Sequence, residues 1–342
     1  MKKKNKAIYL LFLMPFVYFA TACFVVWLVK TSGIYPSGSD TMYHVYRGDY
    51  VYNAIKSGNW YPLYDPAWYN GVEILRYWSP FPAYVMAFCQ YLAGGSQFGA
   101  YLFYIGGVCF LGACVWPFIG RGFNRPYLGA FIGLLWFFMP NNLCAIFIEG
   151  NLARSLSMIF LPVFIYSVYK YLYNHKLRYI PLMVFTFLLM ELCHLGYAGM
   201  VAIAVIIYGI VYIIQKGRKK AVLDVVISMI FGFMLLGIWL VASLRGGITS
   251  LDNSENMANF FQNLWITINP FERLTRGFEY FYFGFATLVV IVFGILFGYK
   301  KSRTGFVTGF IILLMTTKSA YAVLKHLPGS QYLWMLRFIS IA

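Results

Sequence analysis

Acidic residues are scarce in this chain: 11 Asp and Glu in 342 positions, against 27 Lys and Arg. Charged residues of both signs amount to 11%, where a water-soluble domain carries about 25%, so a soluble enzyme is excluded. Histidine is equally sparse, with four in all. The six cysteines, Cys23, Cys89, Cys109, Cys114, Cys144 and Cys193, all fall in apolar segments, and no pair has metal-ligand spacing. Neither a disulfide framework nor a zinc site is indicated, and thiols filling helix contacts are the simplest reading. Walker and dinucleotide-binding glycine motifs are missing as well.

What is abundant is apolar surface. Hydrophobic residues make up 61% and aromatics 21%, and the mean hydropathy is +0.68. The chain therefore reads as an all-α polytopic membrane protein, a single transmembrane domain over 1–342. Four lysines precede an apolar run from Ala7 to Val29, longer than the ~7–15 residues of a signal-peptide core and matching a retained first span of ~20 residues. Further apolar segments run roughly 80–94, 99–119, 127–145, 153–173, 179–195, 196–215, 221–242, 279–299 and 304–323.

Short basic loops set the expected topology. They carry Arg121 and Arg125; Lys170, Lys176 and Arg178; Lys216, Arg218, Lys219 and Lys220; and Lys300, Lys301 and Arg303. Two spans separate successive loops, so all can face the cytoplasm together with the N-terminus. That parity requires one of 80–94 and 99–119 not to cross. Segment 80–94 starts with Pro80 and Pro82 and ends at Gly94-Gly95, which marks it as a short re-entrant or interfacial helix and leaves about nine full spans. Ten of the 11 acidic residues then face outward, all but Asp224. The basic excess is a topology signal, so nucleic acid is no partner, and any chemistry faces the outer side of a cell membrane. Residues 331–342 read as the start of a helix that stops short, ~18 Å against ~30 Å of hydrocarbon, as in a truncated chain.

The first outer loop, 31–79, is rich in Tyr and Trp and has no Phe. Such residues suit an interfacial belt, or a platform for a sugar ring or a lipid-linked substrate; Trp60 and Tyr61 are its candidates. Ser39-Asp40 and Ser57-Gly58 bracket a helix at about 40–57. Asp40 and His44 then share one face, with Arg47 next along it. A carboxylate beside an imidazole can take a proton from a hydroxyl or hold a divalent cation; alternatively, Asp40 caps the helix and His44 lies on the surface. Asn70-Gly71 and Ser79-Pro80-Phe81-Pro82 are turn signals.

Other polar groups approach the same side. Glu149 and Arg154 lie between two spans, while Glu191 and His194 sit toward the outer end of another, where ionisable groups are functional candidates. Lys318 approaches the outer end of its span and reads as snorkelling. A second large outer loop, 243–278, brings Arg245, Arg273 and Arg276, which could meet a phosphate.

These motifs, Gly38-Ser39-Asp40-Thr41-Met42-Tyr43-His44, Gly58-Asn59-Trp60-Tyr61-Pro62, Asn70-Gly71, Ser79-Pro80-Phe81-Pro82, Glu149-Gly150-Asn151-Leu152-Ala153-Arg154 and His194, resemble the membrane proteins labelled 6-pyruvoyl-tetrahydropterin synthase-related. More broadly they resemble GT-C-fold glycosyltransferases that use polyprenyl-phosphate sugars. The resemblance covers roughly residues 1–200. It implies a GT-C-like fold and a catalytic or metal-binding acid in the first outer loop, which is Asp40 here. Where the family pattern has Arg-Gly then Ala-Glu, this chain has Glu149-Gly150 then Ala153-Arg154, the charges exchanged.

The expected function is transfer of a sugar from a polyprenyl-phosphate-linked donor to a glycan, lipid or protein acceptor. Asp40, His44 and Glu149 are the catalytic candidates. Arg47, Trp60, Tyr61, Arg154, Glu191 and His194 are the substrate-binding candidates, and Asp40 would hold any divalent cation, magnesium or manganese. A transporter or flippase of lipid-linked or polar solutes and a non-catalytic assembly protein are the alternatives. No internal repeat, the mark of many transporters, is found.

Overall fold

The computed structural model describes residues 2–36, 38–68, 70–245, 264–269, 283–326 and 335–342. Among them it is helical throughout apart from turns and one isolated antiparallel bridge, Asp65 to Val72. Helix α1 (Lys2–Ser32) contributes the apolar stretch Phe12–Ser32 and leads into α2 (Thr41–Lys56). A turn (α3, Ile74–Tyr77) and the short α4 (Phe81–Leu92) follow. With 12 residues, α4 is ~18 Å long, too short to cross. It packs on α2, where Gln90 Nε2 donates to Asp49 Oδ1 at 2.6 Å and to the Gly95 carbonyl at 3.1 Å.

Helix α5 (Gln97–Gly122) starts at Ser96, whose hydroxyl accepts from the Gly99 N–H at 3.0 Å and so satisfies an orphan donor. Next comes a broken element: α6 (Pro126–Leu135), a 3₁₀ turn, α7 (Pro140–Leu143) and a π-turn over Cys144–Ile148. Pro126 suits a first helical turn, and Pro140, which cannot continue the preceding helix, marks the bend. Helices α8 (Leu152–Asn174), α9 (Tyr179–Cys193) and α10 (Leu195–Lys216) form an up-down set, ended at His175 and Gly217 by left-handed residues. Then follow α11 (Lys219–Leu235), α12 (Gly237–Arg245), α13 (Leu264–Ile268), α14 (Gly284–Met315), α15 (Lys318–Leu324) and a final 3₁₀ turn, Met335–Ser340.

Among the described residues, four helices are long and apolar enough to cross a membrane: α1, α5, α8 and α10. Three bent pairs, α6 with α7, α11 with α12, and the second half of α14 with α15, raise the number to seven if each is one span. The nine expected spans exceed this because hydropathy counts apolar residues without registering breaks. Pro140, the Leu236 junction and Thr316-Thr317 bend these segments by 44°, 63° and 90°, and α9 has 15 residues, ~22 Å. Lys318, read as snorkelling near the outer end of its span, opens α15 just past the sharpest of these bends.

The basic connections gather at one end. Lys170 Nζ donates to the Gly122 carbonyl at 2.6 Å, Arg218 contacts His175, and Tyr171 Oη donates to Asp224 Oδ2 at 2.6 Å. The starts of α2, α8 and α10 lie at the opposite end, called here the site end. Residues 335–340, expected to open a spanning α-helix, form a 3₁₀ turn whose Met335, Leu336, Phe338 and Ile339 are buried. Burial of this apolar segment against α10 and α14 outweighs its helical propensity. Most of the expected outer loop 243–278, with Arg273 and Arg276, lies outside the described residues.

Candidate functional site

The site is assembled where residues 38–41 meet residues 149–151. The π-turn before Glu149, an arrangement common at functional sites, delivers Glu149 to the end of its helix. Gly150 follows in the left-handed region at φ +65°, which glycine adopts at little cost. The two segments touch through backbone: Asp40 N–H donates to the Glu149 carbonyl at 2.9 Å, and Ser39 Oγ donates to the same oxygen at 3.0 Å. A Cβ on Gly38 would collide with the Gly150 backbone, and one on Gly150 with Thr41. Only a glycine pair permits this approach.

Asp40 stands at the N-cap position of α2, yet its side chain caps nothing. Its Oδ1 accepts a bond from Ser39 Oγ at 3.3 Å. Burial holds its carboxyl above the usual carboxylate range; Arg337, the Ser39 bond and Arg154 pull it back, and Glu149 adds to the rise. The helix-cap alternative is therefore not what the side chain does. His44 is buried rather than on the surface, and burial, with Arg47 nearby, lowers its pKa to about 3, so the imidazole is neutral.

Glu149 is gripped by two arginines. Arg154 Nη2 lies 2.7 Å from its Oε2 and Arg337 Nε 3.6 Å from its Oε1. The side chain of Arg154 is fully buried and those of Glu149 and Arg337 nearly so. The order that is exchanged relative to the resembled family pattern thus still makes an opposite-charge pair. Asn151 caps α8 by accepting the Arg154 N–H at 2.9 Å, and its Nδ2 lies 3.4 Å from His194 Nε2. His194 interrupts α9 and α10 in an extended conformation and caps α10, its Nδ1 accepting the Tyr197 N–H at 3.1 Å.

Of the expected site residues, the fold brings together Asp40, His44, Glu149, Arg154 and His194. Arg47 is buried, its guanidinium 5.3 Å from the Tyr43 ring and 5.4 Å from the Trp78 ring, with Nη2 donating to the Trp78 carbonyl at 3.4 Å. These contacts hold it against the Tyr43 and Trp78 rings behind His44. Trp60 and Tyr61 are exposed on the loop, tied to Tyr84 and Asn59. Glu191 is buried on the α11 side of α9, facing Gly232, while its carbonyl accepts from Ser79 Oγ at 2.9 Å. Sequence reasoning missed Arg337. A single arginine in an otherwise apolar 12-residue stretch (331–342) was the available signal.

No group of three His, Cys, Asp or Glu side chains suited to a metal occurs among the described residues, and Glu149 already serves two guanidinium groups. Within the cluster, Asp40 is a carboxylate in no ion pair with a described residue, beside fixed positive charge: an arrangement for proton abstraction next to an anion.

Fold and site define a polytopic α-helical membrane protein with an ionised cluster at one end of its bundle. The chain belongs to the family described as "6-pyruvoyl-tetrahydropterin synthase related domain; membrane protein", which matches residues 75–342. The match begins beyond the first-loop motifs at 38–71 and reaches past residue 200, where the resemblance read from the sequence ended. It includes Glu149, Arg154, His194 and Arg337. No curated protein and no solved structure matches the chain.

Proposed function

We propose that this protein is a GT-C-like glycosyltransferase of the cell membrane, with its basic end cytoplasmic and its site end outside. It transfers a sugar from a polyprenyl-phosphate-linked donor to a hydroxyl of a glycan, lipid or protein. The observation that carries this reading is the Asp40 carboxylate, which caps no helix and joins no ion pair among the described residues, beside the Glu149–Arg154–Arg337 cluster. The acceptor oxygen attacks the anomeric carbon as the bond from that carbon to the phosphate oxygen breaks. Asp40 takes the hydroxyl proton, and the lipid phosphate leaves with the electron pair. A carboxyl whose pKa lies above its ordinary range is a stronger base, and preorganised guanidinium groups stabilise charge developing on a phosphate oxygen. Glu149 holds both arginines in place and offsets part of their charge. No metal takes part in this scheme.

The test uses membranes containing the full chain and a radiolabelled polyprenyl-phosphate hexose. Wild type is expected to move label from lipid to acceptor, with or without chelator, and Asp40→Asn to lose that transfer. Equal transfer by both proteins would remove Asp40 from catalysis. Solute uptake into proteoliposomes without any sugar transfer would replace the enzyme reading by a transporter.

A further inference from the structure

At the basic end, the spans α8 and α10 each finish on a left-handed residue: His175 at φ +52° and Gly217 at φ +71°. Glycine adopts that conformation at no steric cost, whereas histidine does not. The turn thus asks only for glycine at 175, and the ring is what histidine adds. Its Nε2 meets Arg218 Nη1, a group that can only donate, so the imidazole nitrogen accepts. Arg218 also reaches the Tyr212 hydroxyl, which donates to the Leu172 carbonyl at 2.6 Å. The guanidinium is therefore held between the ends of both spans, with N–H groups to spare. Beside it lies a cavity of about 550 Å³, bounded by Tyr171, His175, Arg218, Lys219, Lys220 and Asp224. Helix α11 opens on this cavity at Lys219. No side chain caps it, and a helix start attracts an anion through its unbonded N–H groups and its dipole. Asp224 brings a single carboxylate to the lining, and its Oδ2 already accepts from Tyr171 Oη at 2.6 Å. Three cations and an uncapped helix start outweigh it.

We propose that this cavity seats a phosphate ester, the headgroup phosphate of an anionic membrane lipid. It lies where two spans leave the hydrocarbon, the level at which headgroup phosphates stand, and basic pockets between spans bind such groups. Arg218 meets the phosphate oxygens with its paired N–H donors, Lys219 and Lys220 add charge, and the start of α11 adds backbone N–H groups. The three basic side chains are exposed, so a headgroup enters without rearrangement. His175 is a positioning residue that acts through Arg218. The cavity is at the opposite end of the bundle from Asp40, so it stands whether or not the protein transfers sugar.

The full chain in detergent is offered an equal mixture of phosphatidylglycerol and phosphatidylcholine. Bound lipid is read by native mass spectrometry, alongside thermal unfolding. Wild type is expected to retain phosphatidylglycerol in preference. Lys219→Gln combined with Lys220→Gln should weaken that retention roughly thirtyfold. Arg121→Gln combined with Arg125→Gln, the same loss of charge in another basic connection, should leave it unchanged. His175→Gly should unfold at an equal or higher temperature, because the left-handed turn is relieved, yet retain less lipid, because Arg218 loses its brace. Lipid that stays bound against excess glycerol 3-phosphate assigns the cavity to the headgroup; lipid displaced by it assigns the cavity to a free phosphate ester. Equal retention of the two lipids, equal losses in the two double variants, wild-type retention by His175→Gly, or losses that only track thermal stability would overturn the site.

Discussion

Arg337 Nε lies 3.6 Å from Glu149 Oε1, so a residue of the last 3₁₀ turn closes a charge cluster begun at the π-turn before α8. Arg154 completes the triad from the first turn of α8. Buried ions are tolerated when paired, and removing one partner strands the others at a cost of about 3–5 kcal/mol. The cluster thus ties the last described 3₁₀ turn to the start of α8.

Replacing Arg154 by Met should lower stability by about 3–5 kcal/mol, because Glu149 keeps only the longer contact to Arg337. Glu149→Gln combined with Arg154→Met should recover part of that loss, since residue 149 then carries no charge to be left without its nearer partner, although Arg337 loses its contact with Glu149; neither variant should transfer sugar. Thermal unfolding of the two single variants and the double variant in detergent gives the coupling. Strict additivity would mean that the pair contributes nothing through its contact.

Asp40→Asn separates catalysis from stability. Burial raises the folded-state pKa of Asp40, so its protonated form is the one the fold favours. The stabilisation is complete below the ordinary carboxylate range and is lost as pH rises through the raised folded value. Wild type and Asp40→Asn should therefore unfold alike in strong acid, with the variant the more stable near neutral pH. Sugar transfer by wild type should rise along an acid limb lying above the ordinary carboxylate range. A limb inside that range would mean that another group supplies the base.

Gly150→Ala tests the seam between the first loop and α8. The new methyl group meets Thr41, and φ of +65° disfavours any residue with a Cβ. A cost of about 1–3 kcal/mol is expected, with loss of transfer because residues 38–41 must retreat. Gly33→Ala has comparable backbone strain at φ +67° but open space around its Cβ, so it should lose stability while retaining the site. Transfer assays on both variants distinguish strain from displacement.

Tyr46→Phe probes the rest of the loop. Tyr46 Oη donates to Asp65 Oδ2 at 2.6 Å, and Asp65 Oδ1 accepts the Ala67 N–H at 2.9 Å while the residue is buried. Removing the hydroxyl should cost about 1.5–3 kcal/mol, the range for a bond to a charged group. The loss should show as faster amide exchange over residues 59–72, with α8 and α10 unaffected. Uniform protection across the loop would mean that the Asp65–Val72 bridge holds it without this bond.

The sequence alone determined the class of solvent this chain meets. Its apolar runs, few charges and basic short loops dictate helices in a bilayer, since unpaired backbone cannot remain in hydrocarbon. Asp40, His44, Glu149, Arg154 and His194 were legible because ionisable residues near apolar spans are costly and few here. The span number was less so, because bends at Pro140 and at Thr316-Thr317 depend on packing and not on hydropathy. Tertiary structure decided the rest. It freed Asp40 from capping through contact with the residue 149 carbonyl, sent Arg47 into an aromatic cage, and turned Glu191 toward α11. It also folded an apolar terminal stretch back so that Arg337 meets Glu149. Each of these rests on contacts between residues far apart in the chain, and no local pattern specifies which distant partner a buried charge will find.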